Sequence, residues 1–389
     1  MIISISADNE QDANVLHVID LARALGVNPV SEVQQGGSGN IVLVMLKDAG
    51  VKAKSLRESI FSGLPGVISV ARVSLAKVDV FAGRQQPHSI WLGPTVTIGA
   101  SKPCVLILGP CTTDPTISRS IAALDELGVK AVRSGPFKPR SSSGSFRGNG
   151  ERAVRWYLTA VQAARNVEVA FMEVMEACHI ALVAKIVDEI AFTKTIVLWV
   201  GAHTENVELL VELGRQTQFP VMLKNGKRDQ SVDALRGRAD WILETAPHFD
   251  EFGRPIPGNR SQAPSVNESL MFCLRGTFAE QPSLWRNDPN YHWVDTLRSR
   301  GAWAPIIIDP SHVAGDLRYL TTSIDMALLA RPDGLIVETG YPREGWHGLQ
   351  DVPEGYRGAC DVGQSLPLED VPELLEKIVR HNALYHEVA

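Results

Sequence analysis

The fold class that this 389-residue sequence predicts is α/β: a (β/α)8 TIM barrel preceded by a small ferredoxin-like α+β domain. Three observations predict it. Eight short apolar runs alternate with amphipathic helical stretches over residues 104–389, the pattern of a parallel sheet covered by helices. Eight such units in about 285 residues suit a closed barrel better than an open doubly wound sheet, which remains the alternative if one strand is miscounted. Each run also ends on a reactive polar residue, and a barrel gathers such residues at the C-terminal end of its strands.

Residues 1–80 supply the first domain. "IISIS" is a strand, and "DANVLHVIDLARALG" has helical apolar spacing. A weak strand follows near Val30–Val33, then the strand "NIVLVML", the helix "AKSLRESIFSGL" and the strand "GVISVARV". That order is βαββαβ, a ferredoxin-like pattern. Residues 81–103 are rich in Gly and Pro and read as a linker with a hairpin. The barrel strands are then "CVLILGP", "KAVRSG", "VEVAFMEV", "TIVLWVG", "PVMLKNG", "LMFCLRG", "APIIIDP" and "DGLIVET". "LEDVPELLEKIVRHNALYHEV" supplies the last helix.

Composition narrows the function. A formal net charge of −6 argues against a nucleic-acid partner. Neither a membrane span nor a signal peptide is visible, and five irregularly spaced cysteines form no disulfide framework, so a cytoplasmic location is expected.

Against that acidic background the stretch "AVRSGPFKPRSSSGSFRG" concentrates Arg133, Lys138, Arg140 and Arg147 directly after a strand. The residues ending the eight strands are Cys111, Arg133, Glu173, His203, Lys224, Arg275, Asp309 with His312, and Glu338. Two constellations separate by chemistry. Arg133, Lys138, Arg140, Lys224 and Arg275 form a cationic group that would repel itself unless a polyanion sat within it, which points to phosphorylated or carboxylated substrates. Pairing with neighbouring carboxylates is the ordinary reading of any one of these side chains. Cys111, His312, Glu338 and Asp361 offer sulfur, nitrogen and oxygen donors suited to Mn²⁺, Co²⁺, Fe²⁺ or Zn²⁺. Taken singly, Cys111 reads as a small buried residue and His312 as a capping or satisfied histidine.

"GPC", "VRSGPFKPRSSSGSFRGNG", "MEVM", "VGAHTEN", "LKNG", "CLRG", "IIIDPSH", "GLIVET" and "CDVGQSL" occur in an order and at spacings that resemble the type I 3-deoxy-D-arabino-heptulosonate 7-phosphate (DAHP) synthases. The resemblance covers residues 90–380, and the first domain resembles the regulatory domain of one subgroup. It implies condensation of phosphoenolpyruvate with erythrose 4-phosphate, the first step of the shikimate pathway. Cys111, His312, Glu338 and Asp361 match the family's metal ligands. Arg133, Lys138, Lys224 and Arg275 match residues that hold phosphoenolpyruvate, with Arg275 at its phosphate. Arg140 and Ser141 match the pair that grips the phosphate of the aldose, and Lys138 is positioned to deliver a proton to the new alkoxide. A homo-oligomer (dimer or tetramer) and feedback by an aromatic amino acid effector are implied as well.

The sequence departs from the family in three places. His203 follows Gly201 and Ala202 where the family has an arginine that holds the phosphate of phosphoenolpyruvate. The loop after Glu338, "GYPREGWHGLQDVPEGYRGACD", lacks the family's nearby histidine, and "PHFDEFGRPIPGNRSQAPSVNES" is inserted before the sixth strand. Two further readings therefore stand beside DAHP synthase: a paralogue joining phosphoenolpyruvate to a different aldehyde, and a non-catalytic barrel that binds a metabolite.

Overall fold

The computed structural model describes residues 2–36, 39–46, 58–71, 88–99, 102–139, 143–204, 206–227, 229–243, 267–279 and 283–385. The chain divides into two compact units, Met1–Asp79 and Val80–Ala389.

In the first unit, β1 (Ile2–Ser6), β2 (Pro29–Gly36), β3 (Gly39–Leu46) and β4 (Val67–Ala71) form an antiparallel sheet in the order β2-β3-β1-β4. Alternation in β1 buries Ile3 and Ile5 in one cluster with Val42 and Val44 of β3 and with Val15, Val18 and Ala22 of the helix Ala13–Ala24. Asp12 starts that helix by accepting a hydrogen bond from the Asn14 backbone N–H at 2.8 Å. Where the sequence predicts a second helix over residues 53–64, the described part is a single 3-10 turn, Glu58–Ile60, followed by irregular turns. Residues 53–57 and 72–87, which include the end of the predicted strand "GVISVARV" and the start of the linker, lie outside the described residues.

The second unit opens with a hairpin, β5 (Ser89–Trp91) and β6 (Thr97–Gly99). Eight parallel strands follow: β7 (Val105–Gly109), β8 (Ala131–Ser134), β9 (Val169–Val174), β10 (Thr195–Val200), β11 (Val221–Lys224), β12 (Leu270–Leu274), β13 (Ile306–Ile308) and β14 (Gly334–Glu338). They pair in chain order, and β14 returns to β7 to close the barrel, with Glu338 opposite Gly109. Every strand is followed by a helix before the next begins, and Val371–Tyr385 closes the series. Gly109 is fixed by this closure: a Cβ there would collide with the Arg133 carbonyl of the neighbouring strand.

Burial on both faces explains why the strands read as unbroken apolar runs. Outward residues such as Leu108, Val132, Met172, Leu198 and Leu223 pack in one cluster with the helices. Inward residues such as Ile107, Phe171, Trp199, Met222 and Ile307 form a separate interior cluster, which Ile90, Leu92, Val96 and Ile98 of the hairpin segment join. The two-residue period of a strand then decides what reaches the far end. Arg133 continues the inward parity of Ala131, Glu173 that of Phe171, Lys224 that of Met222 and Glu338 that of Ile336. Polar residues at these positions point into the barrel mouth because their apolar predecessors line its interior.

Candidate active site

The cleft at this mouth encloses about 500 Å³, counting its opening to solvent. Its floor is Trp199, 1% exposed, with the Arg133 guanidinium 5.0 Å and the Lys224 ammonium 5.3 Å from its ring centroid. Both cations sit within cation–π range of a ring that excludes water from below.

Arg133, Lys138 and Lys224 each have a carboxylate partner. Arg133 Nη1 lies 2.8 Å from Glu338 Oε1, Lys138 Nζ 3.1 Å from Glu173 Oε2, and Lys224 Nζ 2.7 Å from Asp309 Oδ2, all with buried side chains. Self-repulsion among these three cations is therefore already compensated within the protein, and a bound polyanion is not the only thing that can hold them together. Arg275 differs: it is 4% exposed, its Nη1 reaches Asn287 Oδ1 at 3.5 Å, and among the described residues no carboxylate stands within ion-pair distance. Burial lowers its pKa from the ordinary arginine value. Arg286, its side chain 41% exposed, also lines the cleft and brings a fifth cation. Five cations against the carboxylates of Glu173, Asp309, Glu338 and Asp361 leave one positive charge in surplus, at the side where Arg275 stands.

Lys138 is buried, at 8% exposed. Besides Glu173 it donates to the Cys111 carbonyl at 3.1 Å. Burial alone would lower its pKa, but the Cys111 sulfur and Glu173 beside it push it above the ordinary lysine value. It therefore carries its proton at neutral pH. Gly135 and Gly201 make room for this pair: a Cβ on Gly201 would overlap the Glu173 carboxylate, and one on Gly135 would crowd the Cys111 carbonyl and Lys138. His203 stands at the rim beside Arg275. Burial, then Lys227 and Arg275, bring its pKa down to about 4, so its imidazole is neutral at pH 7.

Cys111, His312, Glu338 and Asp361 stand directly beside the cations, Glu338 against Arg133 and Asp361 against Arg286. Cys111 Sγ is 3.2 Å from Asp361 Oδ2, and His312 Nε2 is 3.7 Å from Glu338 Oε1. Donor atoms of His312, Glu338 and Asp361 all lie within 4.8 Å of one another, as do those of Cys111, Cys360 and Asp361. Local sequence places His312. Asp309 caps a short helix by accepting from the His312 backbone N–H at 3.1 Å, with Pro310 at the first helical position. The His312 ring thereby stacks back over Asp309, with Nδ1 2.8 Å from Oδ2, close enough for an ion pair but off the line of a hydrogen bond. That leaves Nε2 turned toward Glu338. Asp361 arrives on the long loop after β14, which is tied down where Tyr341 and Tyr356 both donate to Asp114, at 2.5 and 3.3 Å. The donor chemistry of the four suits a divalent ion, and Asp361 is common to the two groups of donors.

Of the other residues singled out from the sequence, Arg140 and Ser141 lie outside the described residues, as does most of the insertion before β12. Arg147 is exposed and does not line the cleft. Sequence reasoning missed Arg286, which donates to Asp361 Oδ1 at 2.9 Å and to Gln364 Oε1 at 2.8 Å. It also missed Gln364, whose Nε2 donates to Glu338 Oε2 at 2.6 Å, and Cys360. These come from loops rather than strand ends, so the parity rule gives no signal for them; adjacency to Asp361 was the one available pointer to Cys360.

Comparisons with known proteins bear on this site. Residues 76–352 match the model of the DAHP synthetase I family. The phospho-2-dehydro-3-deoxyheptonate aldolase of Thermotoga maritima is 27% identical over 277 residues, which cover 70% of this chain and 68% of that protein. Among solved structures, a crystal structure of a DAHP synthase from Thermotoga maritima matches with a TM-score of 0.67 at 21% identity, over 98% of this chain and 97% of its own. A truncated form of 3-deoxy-D-arabino-heptulosonate 7-phosphate synthase from Thermotoga maritima matches with a TM-score of 0.58 at 22% identity, over 77% of this chain and 93% of its own. The two structural likenesses concern the fold.

Proposed function

Because the chain belongs to the DAHP synthetase I family, we propose that it condenses phosphoenolpyruvate with erythrose 4-phosphate, releasing DAHP and phosphate. The observation that carries this reading is the juxtaposition of buried cations, most of them already paired, with an adjoining set of sulfur, nitrogen and oxygen donors.

In this reading Arg133, Lys138 and Lys224 orient the carboxylate end of phosphoenolpyruvate, and Arg275, with no carboxylate partner among the described residues, takes the phosphate. Their carboxylate partners keep them in place before substrate arrives, so little reorganisation is needed when charge develops. C3 of the enol attacks the aldehyde carbon, water adds at C2, and the tetrahedral centre expels phosphate. Lys138, protonated and 3.1 Å from the Cys111 carbonyl, delivers the proton that the new alkoxide requires. Cys111, His312, Glu338 and Asp361 would hold a divalent ion, which supplies Lewis-acid polarisation of the aldehyde oxygen. Arg140 and Ser141 bind the aldose phosphate. The first unit acts as a regulatory domain that responds to an aromatic amino acid.

A second reading is favoured by one observation: His203, neutral at pH 7, stands where the family has an arginine. A pocket altered in this way suits a synthase acting on a different aldehyde. The deciding experiment measures phosphate release from phosphoenolpyruvate with Mn²⁺ and a panel of phosphorylated and free aldoses. Release with erythrose 4-phosphate, lost on chelation and restored by Mn²⁺ or Co²⁺, is expected. A preference for another aldose transfers the assignment to the second reading, and a full rate after exhaustive chelation overturns the metal assignment.

A further inference from the structure

Cys360 belongs to none of the roles above, yet its sulfur lies 3.4 Å from that of Cys111. Bonded sulfurs would be about 2.0 Å apart, so no disulfide joins the two. A tetrahedral ion with sulfur at about 2.3 Å holds two thiolates about 3.8 Å apart, close to the spacing seen here. Neighbouring residues in an extended chain point to opposite faces, but Asp361 has φ 55°, in the left-handed region. That local turn lets Cys360 and Asp361 aim at the same point, and the donor atoms of both lie within 4.8 Å of Cys111 Sγ. The oxygen donors nearby are already engaged. Glu338 accepts from Arg133 on one oxygen and Gln364 on the other, and Asp361 accepts from Arg286 and Cys111.

We propose that Cys360 is a further metal ligand, making this a two-thiolate centre that selects a thiophilic ion of the Zn²⁺ or Co²⁺ class over Mn²⁺. The inference rests on the metal reading of the proposed function and adds to it a donor and a preference among ions. Thiolate sulfur discriminates strongly between these ions, whereas carboxylate and imidazole do so weakly.

Co²⁺ alone is the probe. The full-length protein, stripped of metal by chelation and kept reduced and anaerobic, is titrated with Co²⁺ while its thiolate-to-metal charge-transfer band is recorded. The ligand-field bands report separately that the ion is bound. Cys360→Ser and Cys360→Ala are each expected to bind Co²⁺ with about half the wild-type charge-transfer intensity, one thiolate of two remaining, and Cys111→Ser likewise. Competition between Zn²⁺ and Mn²⁺ should show the preference for Zn²⁺ falling at least about tenfold in the Cys360 variants. An unchanged charge-transfer band in both Cys360 variants overturns the inference while leaving Cys111 as a ligand. Failure of the wild-type protein to bind Co²⁺ overturns the metal reading itself, and the inference with it.

Discussion

Asp309 joins the two halves of the cleft, so replacing it tests both at once. Its Oδ2 holds Lys224 at 2.7 Å and His312 Nδ1 at 2.8 Å, and its Oδ1 caps the helix on which His312 sits. Burial would raise the Asp309 carboxyl, but His312 and Lys224 beside it hold it well below the usual carboxylate range. Asparagine caps helices as well as aspartate, so Asp309→Asn removes the charge and keeps the local fold. Lys224 is then a buried ammonium without its partner, which costs about 3–5 kcal/mol. For a unit of this size that is roughly 6–10 °C in the melting temperature, at about 2 °C per kcal/mol. Combining the change with Lys224→Met removes the orphaned cation, and the double variant should recover more than about 1 kcal/mol relative to the sum of the singles. The acid limb carries the sign of the same interaction. The unfolded chain takes up a proton at Asp309 as pH falls through 3.8 and the folded chain does not, so the pair's contribution is full above that value and fades below it. The gap between wild type and Asp309→Asn should therefore be widest near pH 7 and shrink in acid. Metal affinity, read by Mn²⁺ titration, should drop about 10- to 100-fold because His312 loses the group that orients its ring. A variant that melts with wild type at pH 7 and binds Mn²⁺ equally well would falsify the role given to Asp309.

Three other outcomes are expected. His203→Arg should lower the Michaelis constant for phosphoenolpyruvate, a gain of about 1–3 kcal/mol for a charge-assisted hydrogen bond, without improving that of the aldehyde; no change, or a rise, favours the second reading. Gly201→Ala should depress turnover at least about tenfold with little loss of folding cooperativity, since the added Cβ displaces Glu173 from Lys138; wild-type kinetics would remove Lys138 from the proton-transfer step. A shortened chain beginning near Ile90 should keep turnover and lose inhibition by Tyr, Phe or Trp, and full-length protein indifferent to all three at low substrate would end the regulatory assignment.

What could be read from the sequence follows from periodicity. Strands buried on both faces appear as unbroken apolar runs, so the barrel was legible, and the polar residues that end those runs included Cys111, Arg133, Glu173, Lys224, His312 and Glu338. Asp361 lies on the loop after the last strand and was reached through its donor chemistry and the motif resemblance. The pairing of the cations was not legible. No pattern within either segment says that Lys224 meets Asp309, because the contact reaches across β12, between the ends of β11 and β13, and exists only once the sheet has formed. Arg286 and Gln364 were missed for the same reason. Their loops have no repeating geometry, and each side chain is placed by a partner distant in sequence, Asp361 for one and Glu338 for the other. In the first unit, helical spacing over residues 53–64 was trusted too far: the segment from residue 58 closes in a 3-10 turn.

The hairpin at the foot of the barrel has a kinetic consequence. Ile90, Leu92, Val96 and Ile98 fill the interior from below and Trp199 seals it under the cations, so among the described residues the cleft opens only at the mouth. A vestibule with one door imposes an order of traffic. In the proposed reaction phosphoenolpyruvate lies against Arg133 and Lys224 on the floor, while the aldose phosphate is held nearer the loop that follows β8. The deeper guest must arrive first and cannot leave while the shallower one is seated. The proposed reading therefore predicts sequential rather than random binding, with an aldose phosphate that enters early acting as an inhibitor competitive with phosphoenolpyruvate.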